Sequence, residues 1–221
     1  MTNADSAHNW RRLIGRLLLT ALALGIWFWT QSLISRRTEP ASGVGDALHA
    51  LTAGLNSYFL HSPTAANALL IVSSALIDAL GIFLLARWLF GKSVRPFLGL
   101  VLLLGLRQIM QAVCALPAPP NMIWHYPGFP SLLVTYGVGN DFFFSGHTAI
   151  AVFGGIELAR LGRRWLTFAA VGIVLFEIAA VLVLRAHYTM DVFTGLLSAI
   201  VVAQFCGKFA PRLDVWLAPS E

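Results

Sequence analysis

The chain has 221 residues, of which 57% are hydrophobic and 11% charged, and its mean hydropathy is +0.74. A soluble domain carries roughly a quarter charged residues, so a water-soluble globule is excluded and one integral membrane domain is indicated. The net charge of +5 does not point to nucleic acid, because the basic residues stand at the ends of apolar runs, where they set topology against anionic lipid.

Residues 1–10 are polar and read as a cytoplasmic tail. Arg11, Arg12 and Arg16 flank an apolar run reaching about Ile34. That run is too long for a secretory signal and has no small-x-small cleavage site after it, so it reads as a retained first span. The connector 36–67 contains Pro40, Gly43, Gly45 and Pro63. Its middle, 44–60, carries Val44, Leu48, Leu51, Leu55 and Tyr58 at helical spacing, the pattern of an amphipathic helix lying in the membrane interface. Residues 68–90 and 96–116 make the second and third spans, with Pro96 suited to a first helical turn. The segment 117–144 is long and non-periodic. It contains Pro117, Pro119, Pro120, Pro127 and Pro130 with Trp124 and Tyr126, and such backbone lies at the surface or over a cavity, not in lipid. Residues 146–161, 165–184 and 191–209 are the fourth, fifth and sixth spans, the fourth marginal in length. Residues 211–221 form a second cytoplasmic tail. The expected fold is all-α: a six-transmembrane-helix bundle over 11–210, with an interfacial helix after the first span.

Orientation follows from Lys and Arg. The amino end, the second and fourth connectors and the carboxyl end carry Arg11, Arg12, Arg16, Arg87, Lys92, Arg95, Arg160, Arg163, Arg164, Lys208 and Arg212. The other connectors carry only Arg36, Arg37 and Arg185. By the positive-inside rule both termini are cytoplasmic. Cys114 and Cys206 lie in apolar segments without metal-ligand spacing and read as packing residues; a disulfide between them is open at this level.

Two polar clusters stand out, each where an apolar run begins, and both fall on the exoplasmic side. The first is Asp141, Ser145, Gly146, His147 and Thr148; the second is Arg185, His187, Tyr188, Thr189 and Asp191. Ionisable groups in such places carry a functional hypothesis by default. Ser145 occupies a helix-capping position, and a helix N-terminus favours an anion such as phosphate. Gly146 lets a ligand approach the backbone. His187 and Asp191 share a helix face at i, i+4. A carboxylate bonded to one ring nitrogen makes the other a base or nucleophile, which leaves His147 as acid for the leaving group. Phosphoryl transfer further requires a fixed cation, for which Arg107 and Arg185 are the candidates.

Ser145-Gly146-His147-Thr148 preceded by Gly139-x-Asp141, with His187-Tyr188-Thr189-x-Asp191-Val192 downstream, resembles the two signature motifs of the sphingomyelin synthase family within the lipid phosphate phosphatase superfamily. The run 106–119, with Arg107 and a Leu-Pro-x-Pro ending, is similar to that family's third span, so the likeness covers about 107–196. Gly-Asn-Asp stands where those synthases usually carry Cys-Gly-Asp. The resemblance implies a His147, His187 and Asp191 triad and a phosphohistidine on His187. It also implies no metal or other cofactor and a site on the exoplasmic face of the cell membrane. A membrane phospholipid would be the donor and a lipid hydroxyl or water the acceptor. Ser145, Gly146, Thr148, Arg107 and Arg185 are then the candidate phosphate contacts, with Asp141 and Tyr188 in support.

Other readings compete. Trp124, Tyr126 and Tyr188 fit an interfacial aromatic belt. Asp78 and Glu177 sit near mid-span and either pair with Arg107 or line a cavity. Two His and two Asp also suit a metal, although Ser-Gly at a helix start is better explained by an anion. A lipid phosphatase using water is the alternative enzyme. A non-catalytic lipid-binding protein would have lost a triad member, and a proton-coupled transporter would spread its polar groups across the bilayer.

Overall fold

Apolar runs punctuated by Pro, Gly and basic residues become helices in the computed structural model, which describes residues 3–34, 36, 44–137 and 142–217. In chain order these are α1 (Asn3–Ile34), α2 (Ala47–Leu51), α3 (Ala53–His61), α4 (Pro63–Leu89), α5 (Arg95–Val113), α6 (Gly146–Ala159), α7 (Arg164–Val183) and α8 (Thr189–Trp216). Among the described residues there is no strand. Among the described residues five helices, α1, α4, α5, α7 and α8, are long and apolar enough to cross a membrane, and the chain is a multi-pass membrane protein.

The fourth expected span, α6, is short and central. At 14 residues α6 extends about 21 Å, less than the roughly 30 Å hydrocarbon core. Ten of its residues are buried, because it runs through the centre of the bundle against α4, α5, α7 and α8. Its apolar character therefore reflects burial in protein more than exposure to lipid. Phe153, Ala149 and Val152 of α6 mesh with Leu84 of α4, Leu100 and Leu103 of α5, and Ala199, Val202 and Cys206 of α8. Peripheral α1, by contrast, turns Leu18, Leu22 and Trp29 outward, as a lipid-facing helix does.

The two ends of the bundle are built differently. At one end, Arg95 Nε donates to Glu157 Oε1 at 2.6 Å, a buried pair joining α5 to α6. Nearby, Asp214 of α8 accepts from Ser93 Oγ (2.7 Å) and Val94 N (2.6 Å). Arg95 is thus more than a topology marker. The opposite end carries the polar clusters. There α2 and α3, in place of a single interfacial helix, lie as a strap across the turn joining α7 to α8. Cys114 and Cys206 are free.

Candidate active site

The turn that leads into α8 is shaped by how α7 ends. Ala186 N donates to Val181 O at 2.9 Å, and Arg185 adopts a left-handed conformation at φ +53°, which disfavours a side-chain-bearing residue by about 1–2 kcal/mol. The chain reverses, and Asp191 Oδ2 accepts from Tyr188 N at 2.8 Å, capping the first turn of α8. His187 is held between these constraints. Its Nδ1 donates to Phe142 O at 2.8 Å; a carbonyl only accepts, so Nδ1 carries the proton and Nε2 keeps its lone pair.

The expected carboxylate–imidazole hydrogen bond is not formed. Asp191 Oδ2 lies 3.7 Å from His187 Nδ1, because the carboxylate is occupied with the Tyr188 N–H and the ring is satisfied by Phe142. Asp191 is fully buried, with Oδ1 lacking a partner, so its charge faces the imidazole across a short, water-poor gap.

The start of α6 is bound to the start of α8. Ser145 N donates to Asp191 O at 3.1 Å. Gly195 makes this approach possible: a Cβ there would come within 2.7 Å of Ser145 O. Ser145 caps α6, its Oγ accepting from Thr148 N at 3.3 Å and from Thr148 Oγ1 at 3.1 Å. Arg107 of α5 lies across this first turn, its Nε donating to Phe144 O at 2.9 Å. A Cβ on Gly146 would stand 3.1 Å from that Nε, so the glycine lets the guanidinium stem lie against the helix start.

Together these elements enclose a cavity walled by Arg107, Gly146, His147 and His187 with Phe142, Trp124, Trp27 and Leu104. His147 is buried with an unpartnered Nε2. Trp124 stands edge-on to its ring (centroids 5.2 Å apart, 84°) and donates its Nε1–H to Thr135 O at 3.1 Å. Trp124 is therefore a wall of the cavity and not a belt residue.

Of the candidate site residues, His147, His187, Arg107 and Gly146 meet at the cavity, with Asp191 behind His187. Ser145 and Thr148 are fully buried behind the wall, their hydroxyls bonded to each other. Arg185 points elsewhere, donating to Pro120 O (3.0 Å) and His49 O (3.1 Å); it braces the turn and is not on the cavity wall. Tyr188 is wholly buried and stacked on His49 at 5.5 Å, which rules out a belt position. Asp141 lies outside the described residues. Asp78 neither pairs with Arg107 nor lines the cavity; it accepts from Ser131 Oγ and from Leu132 N and Leu133 N, pinning the 117–137 loop. Glu177 accepts from Ser73 Oγ at 2.6 Å, between α4 and α7.

The strap contributes residues that the motifs do not contain. Asp46 caps α2 through Leu48 N and His49 N (2.9 and 3.1 Å) and also accepts from Thr189 N (2.5 Å) and Thr189 Oγ1 (2.6 Å). His49 Nε2 donates to His187 O at 2.9 Å, and Asn56 Nδ2 to Val183 O at 2.9 Å. The turn that carries His187 is thus clamped from outside. One signal was available: Asp three residues before His, at the head of a short helix, is an N-cap arrangement.

A basic helix start, a guanidinium and two imidazoles, one with a free lone pair and one with an unpartnered nitrogen, form a set suited to holding a phosphate and attacking its phosphorus. Comparison with known proteins bears on the same region. The sequence model of the AtPDCT1/2 family matches residues 45–208, which takes in the strap and both polar clusters. The phosphatidylcholine:diacylglycerol cholinephosphotransferase 1 of Arabidopsis thaliana is 23% identical over 186 residues, 84% of this chain and 59% of that protein. The chain therefore spans about three fifths of the length of the curated relative it matches. No solved structure matches it. The matched family is a lipid-metabolising membrane family, and not the sphingomyelin synthases specifically.

Proposed function

The chain belongs to the AtPDCT1/2 family, and from that premise we propose that it moves a phospho-alcohol head group from one membrane lipid to another. The observation that carries the reading is the meeting of His147, His187 and Arg107 at the N-terminus of α6 in one cavity. The relative's name specifies phosphatidylcholine as donor and diacylglycerol as acceptor, and these are the substrates proposed here.

The mechanism has two steps. His187 Nε2 attacks phosphorus, the bond from phosphorus to the diacylglycerol oxygen breaks, and His147 delivers a proton to the departing alkoxide. The head group rests on His187 as a phosphohistidine. An incoming diacylglycerol hydroxyl then attacks phosphorus, gives its proton to His147 and breaks the P–N bond, yielding the new phospholipid. Arg107 and the α6 N-terminus stabilise the anionic phosphoryl oxygens. The Asp191 charge offsets the positive charge that His187 acquires on phosphorylation. Sphingomyelin-synthase-like chemistry of this kind needs no metal.

Water is the competing acceptor. The 117–137 loop has no Lys, Arg, Asp or Glu and folds over the cavity with Trp124, Leu133 and Val134. Such a cover limits bulk water and favours lateral entry from lipid. Six spans, cytoplasmic termini and an exoplasmic site complete the reading, α6 crossing with its flanking loops. The test is purified protein in nanodiscs with head-group-labelled phosphatidylcholine, with and without added diacylglycerol. Acceptor-dependent appearance of new phospholipid, abolished in His187→Ala, supports the transferase. Phosphocholine release at the same rate with or without acceptor would replace it with a hydrolase.

A further inference from the structure

The groove between α1 and α5 plays no part in the chemistry above. It is walled almost wholly by hydrocarbon, among others Leu22, Ile26, Val101, Gly105 and Ile109. Two of its residues, Trp27 and Leu104, also line the cavity that contains His147 and His187. The apolar groove and the polar cavity are therefore neighbours that share these two side chains as a common wall. Trp27 is only 6% exposed, and its indole Nε1 is buried without a hydrogen-bond partner, a state native interiors rarely keep unless something else satisfies the group.

Resting on the transferase reading, we infer that this groove seats an acyl chain of the glycerolipid whose phosphate end lies in the cavity. At the junction, the Trp27 indole N–H donates to an ester oxygen. The dimensions agree. From Phe97 to Ile109 the groove follows α5, about 18 Å at 1.5 Å per residue, and one leaflet of hydrocarbon is roughly 15 Å deep. A chain leaving bilayer lipid for this groove exchanges one apolar surrounding for another, so little hydrophobic gain drives it in. Its role is to set register: a chain seated along α5 fixes how far the phosphate reaches towards His187.

Gly105 supplies the probe. Beyond its own turn of helix no atom lies within 4 Å of where its Cβ would stand, so Gly105→Phe can project its ring into the groove; Val101→Trp is a second filling variant should the first fold poorly. Protein in phosphatidylglycerol nanodiscs is given trace phosphatidylcholine with a diazirine at mid-chain, irradiated and mapped by mass spectrometry. The expected result is labelling on residues 22–30 and 101–109 that excess unlabelled phosphatidylcholine suppresses, and that falls at least tenfold in the filling variants. Phe168→Trp, on the lipid-facing side of α7, retains it. Non-saturable labelling spread over all outward faces and unchanged in Gly105→Phe would mean annular lipid only and would overturn the inference. The readout needs no turnover, so saturable labelling without transfer would remove the transferase reading and leave the groove. Kinetics add a second arm. Gly105→Phe should lower kcat/KM at least tenfold for long-chain phosphatidylcholine but less than twofold for a dibutanoyl analogue; equal losses would overturn the chain site. Trp27→Phe should raise KM for diester lipid and leave a diether analogue unchanged, and equal effects on both would refute the N–H contact.

Discussion

Replacing Asp46, which belongs to neither polar motif, is predicted to slow turnover. Asp46→Ala removes four hydrogen bonds: Leu48 N and His49 N at the head of α2, and Thr189 N and Thr189 Oγ1 at the head of α8. Loss of the cap costs about 1 kcal/mol. The two Thr189 bonds end on a carboxylate and so contribute about 1.5 kcal/mol each at the low end of the charged range, appropriate for a half-buried group. His49, Asn56 and Arg185 still hold the strap, so about half of the roughly 3 kcal/mol at Thr189 is expected to appear in the barrier, which lowers kcat about tenfold. Asp46→Asn keeps a good N-cap but presents an amide N–H₂ to one Thr189 donor, and should fall between wild type and alanine. The assay is head-group transfer in nanodiscs, with thermal unfolding measured alongside. Full kcat in Asp46→Ala with only a lower Tm would refute the reasoning, because the strap would then support the fold and not the turn. The pH dependence follows. Burial pushes the Asp46 carboxyl upward, but hydrogen bonds from the Thr189 hydroxyl and N–H and from His49 N–H outweigh it and hold the group below its usual range. With a depressed folded value, the contribution is complete above the unfolded value near about 4 and is lost as pH falls through the folded value. Between pH 8 and 5 the clamp should be insensitive to pH, and the acid loss below that range should vanish in Asp46→Asn.

His187→Ala should abolish transfer, and Asp191→Asn should slow it by about 10² to 10³ by removing the charge opposite the phosphorylated ring, an effect of the size seen for deleting one electrostatic stabiliser; single-turnover rates decide, and a full-rate His187→Ala ends the nucleophile assignment. At the far end of the bundle, Glu157→Gln should destabilise by about 3–5 kcal/mol because it leaves Arg95 buried and uncompensated, whereas Arg95→Met with Glu157→Leu should stay near wild type; denaturation of both variants checks this, with kcat per folded molecule unchanged. Tyr126→Cys, in a background with Cys114 and Cys206 replaced by serine, should react with an impermeant maleimide on intact cells, and labelling only after lysis would reverse the proposed orientation. Gly195→Val should abolish activity, since its Cβ would crowd Ser145 O at 2.7 Å; an active, stable variant would show that the α6–α8 contact is not what positions His147.

Helix positions were legible because apolar runs in this chain end on Pro, Gly, Lys and Arg. That His147, His187 and Asp191 would come together was legible because such groups are costly at the edge of apolar segments. The role of α6 was not, since 14 apolar residues read alike whether they face lipid or the middle of a bundle; only the surrounding helices decide it. The exact partner of His187 was also hidden, because Phe142 acts through its carbonyl, which every residue has. Asp46, His49 and Asn56 lie roughly 130 to 140 residues from the turn they clamp, and no local pattern joins groups so far apart in sequence. Arg185 shows the opposite error. A cation two residues from a cavity-lining histidine suggests phosphate, but a left-handed backbone turns its side chain outward to two carbonyls.

The anchoring of the α6 start to α8 also constrains how the protein is made. Ser145, His147 and Arg107 are synthesised well before Asp191 and Gly195, and at about 5–20 residues per second the gap from Ser145 to Gly195 is a wait of several seconds. Until the last helix arrives, α6 is a stub about 21 Å long without the neighbour that covers one of its sides. A chain without α8 lacks the Asp191 and Gly195 contacts that hold the start of α6. On the transferase reading proposed above, chains cut before Gly195 should be inactive and targets for membrane proteases.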